Sequence, residues 1–230
     1  MARERLARIV ASLPDEGEDR EALDHLCRAC VEELDVTGAG LALLVGGQHR
    51  GTLGVSSAHA ARVEELQFTL GEGPCLESFR ERRTVQEPAL ASSARWPAFG
   101  PEAVTLGVQA VFALPLSVGA AGFGSLDLYC DHAGSLGDGV LGEARVVADM
   151  ATAMVMGIQA RTKRGSPSEL LAPLADQRAV VHQATGMVSV QLGASLDEAL
   201  VAVRARAYAD GRSLGVVAAD IVDRRLRLER

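Results

Sequence analysis

Residues 103–129 read AVTLGVQAVFALPLSVGAAGFGSLDLY, and two architectures compete for them. No charged side chain occurs from Ala103 to Leu126, which raises a membrane-spanning helix as the first alternative. Gly107, Pro115, Gly119, Gly122 and Gly124 interrupt the run, and Thr105, Gln109, Ser117 and Ser125 add hydrogen-bonding groups. A continuous lipid-facing helix fits that combination poorly. Two buried strands, Val108–Leu116 and Gly124–Tyr129, joined by a glycine-rich turn, fit it well.

The flanking sequence supplies partners for those strands. Gly38–Val45 is a dense apolar run ending at the turn signal Gly46-Gly47, and a second strand follows to Ser56. Helical periodicity covers Glu4–Leu13, Asp19–Leu34 and His59–Phe68, and Pro74 opens a short helix over Cys75–Arg82. From Gly139 to Arg161 the helical period returns, with a wide apolar stripe along Leu141, Ala144, Val147, Ala148, Ala151, Met154, Val155 and Ile158. This order predicts an α+β domain, helices packed on an antiparallel sheet. The surplus width of the last stripe predicts a homodimer.

A composition break at Lys163-Arg164-Gly165-Ser166-Pro167-Ser168 divides the chain into residues 1–165 and 166–230. The second part is all-α. Leu174, Val181, Ala184, Val188 and Leu192 share one stripe, and Gly193 ends that helix. Ser195 and Glu198 form a capping box for a second helix carrying Leu196, Leu200, Val203 and Ala207. Ser213 caps a third, with Leu214, Val217, Ala218, Ile221 and Val222 turned inward. The expectation is a three-helix bundle.

Composition narrows the function classes. Hydrophobic residues make up 48% of the 230 and aromatics only 3%, so the cores are built from Ala, Val and Leu. Net charge is −7 and all the excess acid lies in residues 1–165, which argues against a chain coated for nucleic acid but permits a local basic face. Lys163 is the only lysine. No export signal is read at the start, which predicts a cytoplasmic protein with reduced cysteines and no membrane association.

Few residues carry chemistry by their spacing. Cys27 and Cys30 form a C-x-x-C on an amphipathic helix, but no second pair completes a metal site, and Cys75 and Cys130 stand alone. The cysteines read as packed thiols or as a redox sensor, with Cys75, at a helix N-terminus, expected to have the lowest pKa. His25, His49, His59, His132 and His182 form no ligand pair, and Gly71-x-Gly73 lacks the remaining residues of a phosphate loop. Arg178, His182, Thr185 and Ser189 form a polar stripe beside the bundle's apolar one, either a solvated flank or a binding face. Mid-helix Gly186 predicts a close approach by another backbone.

Two resemblances add to this reading. Gln183-Ala184-Thr185-Gly186-Met187-Val188, Ser195-Leu196-Asp197-Glu198-Ala199-Leu200 and Leu214-Gly215-Val216-Val217-Ala218 resemble, in that order, the ANTAR domain. That family is a three-helix RNA-binding module of bacterial transcription antiterminators. The resemblance implies that RNA hairpins are the partner and that Arg178, His182, Thr185, Gly186, Ser189 and Arg204 form the RNA surface. Three departures accompany it: Thr185 stands where the family usually has Lys, Ser189 where it has Met, and Gln191 where Arg is common. Arg204, Arg206, Arg212, Arg224 and Arg225 are candidates to compensate for the lost cations.

Gly71-Glu72-Gly73-Pro74-Cys75, Arg95-Trp96-Pro97, Leu114-Pro115-Leu116 and Gly124-Ser125-Leu126-Asp127-Leu128-Tyr129 resemble GAF domains of actinobacterial regulators. GAF domains are sheet-centred sensors of varied small molecules, so the resemblance implies an unknown small-molecule ligand and a pocket that includes Cys75, Trp96 and Tyr129. Together the two imply a non-enzymatic sensor with an RNA-binding output. The alternatives are a thiol-dependent methionine sulfoxide reductase of GAF type, or a protein-interaction module.

Overall fold

In the computed structural model the described residues are 2–13, 19–46, 48–163 and 171–229. Two helices, α1 (Ala2–Ser12) and α2 (Asp19–Glu33), precede the hairpin β1 (Gly38–Val45) and β2 (Gln48–Val55). Helices α3 (Ala58–Leu70) and α4 (Pro74–Glu81), strand β3 (Val85–Glu87), a short 3-10 turn and α5 (Phe99–Thr105) follow. The stretch from Ala103 then forms β4 (Ala110–Val118) and β5 (Ala121–Cys130), as its glycine pattern predicts. Helix α6 (Asp138–Lys163) completes the α+β part, and α7 (Leu171–Leu192), α8 (Leu196–Ala209) and α9 (Leu214–Val222) form the bundle. The boundary placed at residues 165/166 and the junction around it lie outside the described residues.

The sheet is antiparallel throughout, in the order β2-β1-β5-β4-β3. Alternation along the strands sends two different sets of residues to its two faces. Leu41 and Leu43, Phe112, Leu114 and Leu116, and Leu126 and Leu128 pack against α1, α2 and α6 in one dry core. Each fully buried Leu there contributes about 2 kcal/mol of transfer free energy. The α6 stripe is covered in this core by Ile9, Leu23, Leu26, Cys27 and Cys30 as well as by the sheet. Its width therefore has an explanation within one chain, and the argument from width to a dimer does not hold. Val111, Ala113 and Tyr129 face the other way, towards α3 and α5, and Ala42 and Leu44 face α4.

Local chemistry sets the element ends. Ser57 caps α3 by accepting from the Ala60 N–H, and Gly71 closes it in the left-handed region at φ 63. The capping box of α8 is formed, Ser195 accepting from the Glu198 N–H and Glu198 accepting from the Ser195 N–H. Ser213 caps α9 through the Val216 N–H. Among the described residues no single helix is long and apolar enough to cross a membrane.

The bundle has its own core of Val181, Ala184, Val188, Val203, Val217 and Ile221, among others, and one member comes from elsewhere: Phe68, on α3. The bundle is thus seated on the α+β part. Tyr208 of α8 donates to Glu102 of α5 at 2.5 Å.

Candidate functional site

Between the sheet and α3 lies a cluster of buried polar side chains. Glu64 and Gln67 occupy the face of α3 that also carries Ala60, Val63 and Phe68, so helical periodicity points them at the sheet. Ser125, Asp127 and Tyr129 alternate on β5 to meet them. Gln67 Nε2 donates to Asp127 Oδ2 at 2.8 Å and to the Tyr129 hydroxyl at 3.0 Å, while its Oε1 accepts from the Cys75 N–H at 3.0 Å. Ser125 donates to Asp127 Oδ1 at 2.5 Å, and Tyr129 donates to Glu64 Oε1. Gly40 on β1 makes room for this, since a Cβ there would overlap the Glu64 carboxyl.

Burial dominates the electrostatics. It raises Glu64 to about 7, against the hydrogen bond from Tyr129. Burial, then the Glu64 charge, push Asp127 well above the usual carboxylate range. The opposite sign applies to His49, which burial lowers to about 4. Near neutral pH the cluster therefore holds protonated or half-protonated carboxyls beside a neutral imidazole. His49 Nε2 lies 3.8 Å from Glu64 Oε2, beyond hydrogen-bond reach, and both ring nitrogens and Glu64 Oε2 lack a partner.

His49 also faces a second feature. A cavity of about 340 Å³ lies in the seam between the α+β part and the bundle. His49 and Phe68 form its wall on the α+β side, with ring centroids 5.4 Å apart, and Thr185, Leu200, Arg204 and Leu214 contribute from the bundle. The register shift between Leu43 and Leu44 places His49 opposite Leu44, on the α3 and α4 side of the sheet.

The residues expected to form a pocket separate. Cys75 and Tyr129 meet at the polar cluster, both fully buried. Trp96 does not join them: its Nε1 donates to Glu77 at 3.1 Å, its ring packs on Phe99, and Arg95 stacks over it at 4.9 Å. The thiol of Cys75 departs from expectation. Burial, then the Asp127 and Glu64 charges, push it well above 9.0, so the helix N-terminus is outweighed. Cys27, Cys30 and Cys130 belong to the core on the opposite face of the sheet. No group of metal-ligating side chains occurs among the described residues.

The residues expected to form an RNA surface also divide. Arg178 lies on α7, its side chain outside the described ones, and His182 is exposed at the cavity mouth. Thr185 is buried rather than solvated, donating to the Val181 carbonyl at 2.7 Å, because the bundle docks on this flank. Ser189 turns to the Ala194 carbonyl at 2.6 Å. Gly186 has nothing within 4 Å of where a Cβ would stand, so the expected close approach is not made among the described residues. Arg204 points at Gly71 of the sensor. Of the compensating cations, Arg206 pairs with Asp210, and Arg212 and Arg225 both pair with Asp220.

The sequence pattern assigns no site role to Glu64, Gln67, Asp127 or His49. A signal existed for three of them: Glu64 and Gln67 sit on an apolar helical stripe, and Asp127 on an apolar strand.

This architecture has solved counterparts. The GAF domain of an Acinetobacter phosphoenolpyruvate-protein phosphotransferase superposes with a TM-score of 0.57 at 12% identity, covering 71% of this chain and 98% of that one. The GAF domain of the Coxiella burnetii phosphoenolpyruvate-protein phosphotransferase gives 0.57 at 12%, covering 70% and 96%. The α+β part has a GAF-like fold. The free methionine-R-sulfoxide reductase of Neisseria meningitidis shares it, with a TM-score of 0.52, 15% identity and coverage of 66% and 87%. No family model and no curated protein matches the sequence. The GAF domains are covered almost whole, which leaves more than a quarter of this chain beyond the shared fold.

Proposed function

We propose that the chain is a signal-responsive regulator whose GAF-like part binds a small molecule and whose ANTAR-like bundle binds RNA hairpins. The observation that carries this reading is the seating of the bundle. A three-helix unit with its own core rests on a complete sensor fold through Phe68, and the flank it turns inward includes Thr185 and Arg204. Docking covers part of the proposed RNA surface and release uncovers it, so a signal that shifts the docking equilibrium controls RNA binding.

The enzymatic alternative needs two thiols that meet in the pocket. Cys75 stands on one face of the sheet and the other three cysteines on the opposite face, so we set that alternative aside.

Selection from a library of paired RNA hairpins with randomised loops tests the proposal on the full chain. Tyr208→Phe, which removes the bond to Glu102, is expected to strengthen hairpin binding. Arg178→Ala is expected to weaken it and flatten its salt dependence by about one unit of log-log slope. Absence of salt-sensitive hairpin binding in both the native chain and Tyr208→Phe overturns the RNA reading.

A further inference from the structure

The seam cavity has a composition that its enclosing walls do not explain. Arg204 Nε is buried without a hydrogen-bond partner, and the guanidinium makes no ion pair among the described residues. It is packed over Gly71, and Arg80 is the charge that adds to its field. Arg204 is half-buried with only Nε fully enclosed, so its guanidinium remains a cation able to receive a charge-assisted bond from an anion in the cavity. His49 presents a second unmet demand: its ring is wholly buried and neither nitrogen is partnered. A neutral imidazole there offers one donor and one acceptor. Between these polar groups the walls are apolar, formed by Phe68, Val181, Leu200 and Leu214.

We propose that this cavity binds a small amphipathic monocarboxylate, its carboxylate held by the Arg204 guanidinium and its apolar body lying on Phe68, Leu200 and Leu214, with the His49 ring behind the wall. The volume of about 340 Å³ is at the lower end of ligand sites and suits roughly eight to fourteen non-hydrogen atoms. Charge limits the class further. Asp197 stands on the cavity wall at the start of α8, so a nucleotide or a polyphosphate meets repulsion there, whereas a single carboxylate at Arg204 does not. The site lies across the interface between the α+β part and the bundle, and His49 separates it from the polar cluster under the sheet. Because the cavity belongs to the docked arrangement, a ligand in it stabilises docking by mass action. That consequence for RNA rests on the function proposed above; the binding itself does not.

The probes are octanoate, decanoate, phenylbutyrate and indoleacetate, each compared with its primary amide, titrated into the full chain by calorimetry and by thermal melting. At least one carboxylate is expected to bind saturably, with one site per chain, to raise the melting temperature, and to bind about tenfold or more tightly than its amide. Arg204→Met is expected to lose this binding while remaining folded, since it replaces an unpaired cation with an apolar side chain of similar length. Leu200→Trp keeps the cation and fills the cavity, and it too is expected to lose binding. Failure of all four carboxylates to bind, or undiminished binding in either variant, overturns the proposal. Hairpin binding without a carboxylate response defeats the cavity site alone; a carboxylate response without hairpin binding defeats the RNA reading and leaves the site.

Discussion

The two faces of the sheet are built from the same strands and serve opposite ends. On the α2 and α6 face, leucines from β1, β4 and β5 meet aliphatic helices in a continuous apolar core. On the α3 face the same alternation delivers Ser125, Asp127 and Tyr129 to Glu64 and Gln67, and burial there opposes ionisation. One face supplies stability and the other spends some of it to hold polar groups away from water. The buried polar groups lie on the second face, beside helices that also touch the bundle.

Substitution on the dry face is expected to have the largest effect. Leu126→Ala removes a fully buried side chain from the middle of that core and is expected to cost about 3–4 kcal/mol, read as a lower denaturant midpoint at unchanged slope. A loss below 1 kcal/mol would mean the two faces are not as different as described.

The polar face answers to pH instead. Glu64 is raised from 4.5 to about 7 on folding, so between those values the folded chain holds a proton that the unfolded chain has released. Stability contributed by this group is therefore present below pH 4.5 and is lost as pH rises through 7, by about 3 kcal/mol in all. His49 has the opposite sign: lowered from 6.5 to about 4, it costs stability as pH falls through that window. Comparison of Glu64→Gln with the native chain isolates the first effect. The difference in stability is expected to move in favour of the variant as pH rises from 4.5 to 8, by about 2–3 kcal/mol. A difference independent of pH would remove Glu64 as a buried proton holder.

The smallest effect separates the bundle from both faces. Gly186→Ala meets open space and improves helix propensity, so it is expected to stabilise the chain by about 0.5–1 kcal/mol. Hairpin binding in the same variant shows whether the open space is reserved for a partner: a loss of affinity together with a gain in stability places RNA there.

Most of the fold was legible because its signals are local. The glycines between Gly107 and Gly124, the Ser195–Glu198 capping box and the Ser213 cap each act within a few residues, and each produced the expected element. Strand β3 was missed because three residues carry no period; it exists because Val85–Glu87 pair with Val111–Ala113. Helix α5 is nearly as short, and its first amides are bound by Glu72 from a distant loop. The sites were less legible, for the same reason. Cys75 reads as a reactive thiol from its neighbours in sequence, and only tertiary burial reverses that. Thr185 reads as a solvated flank until helix α3, more than a hundred residues earlier, is placed against the bundle.

Phe68 has a consequence for how such a chain is inherited. It is covalently part of the sensor and physically part of the bundle's core, so an exchange that moves the bundle to another sensor leaves a hole the size of a phenyl ring unless the new host carries a large apolar side chain at the same place. Recombination that respects the linker but ignores this position yields a bundle with an exposed apolar socket, prone to self-association. The two parts look interchangeable when read as beads on a string, yet separating them divides one core at this ring.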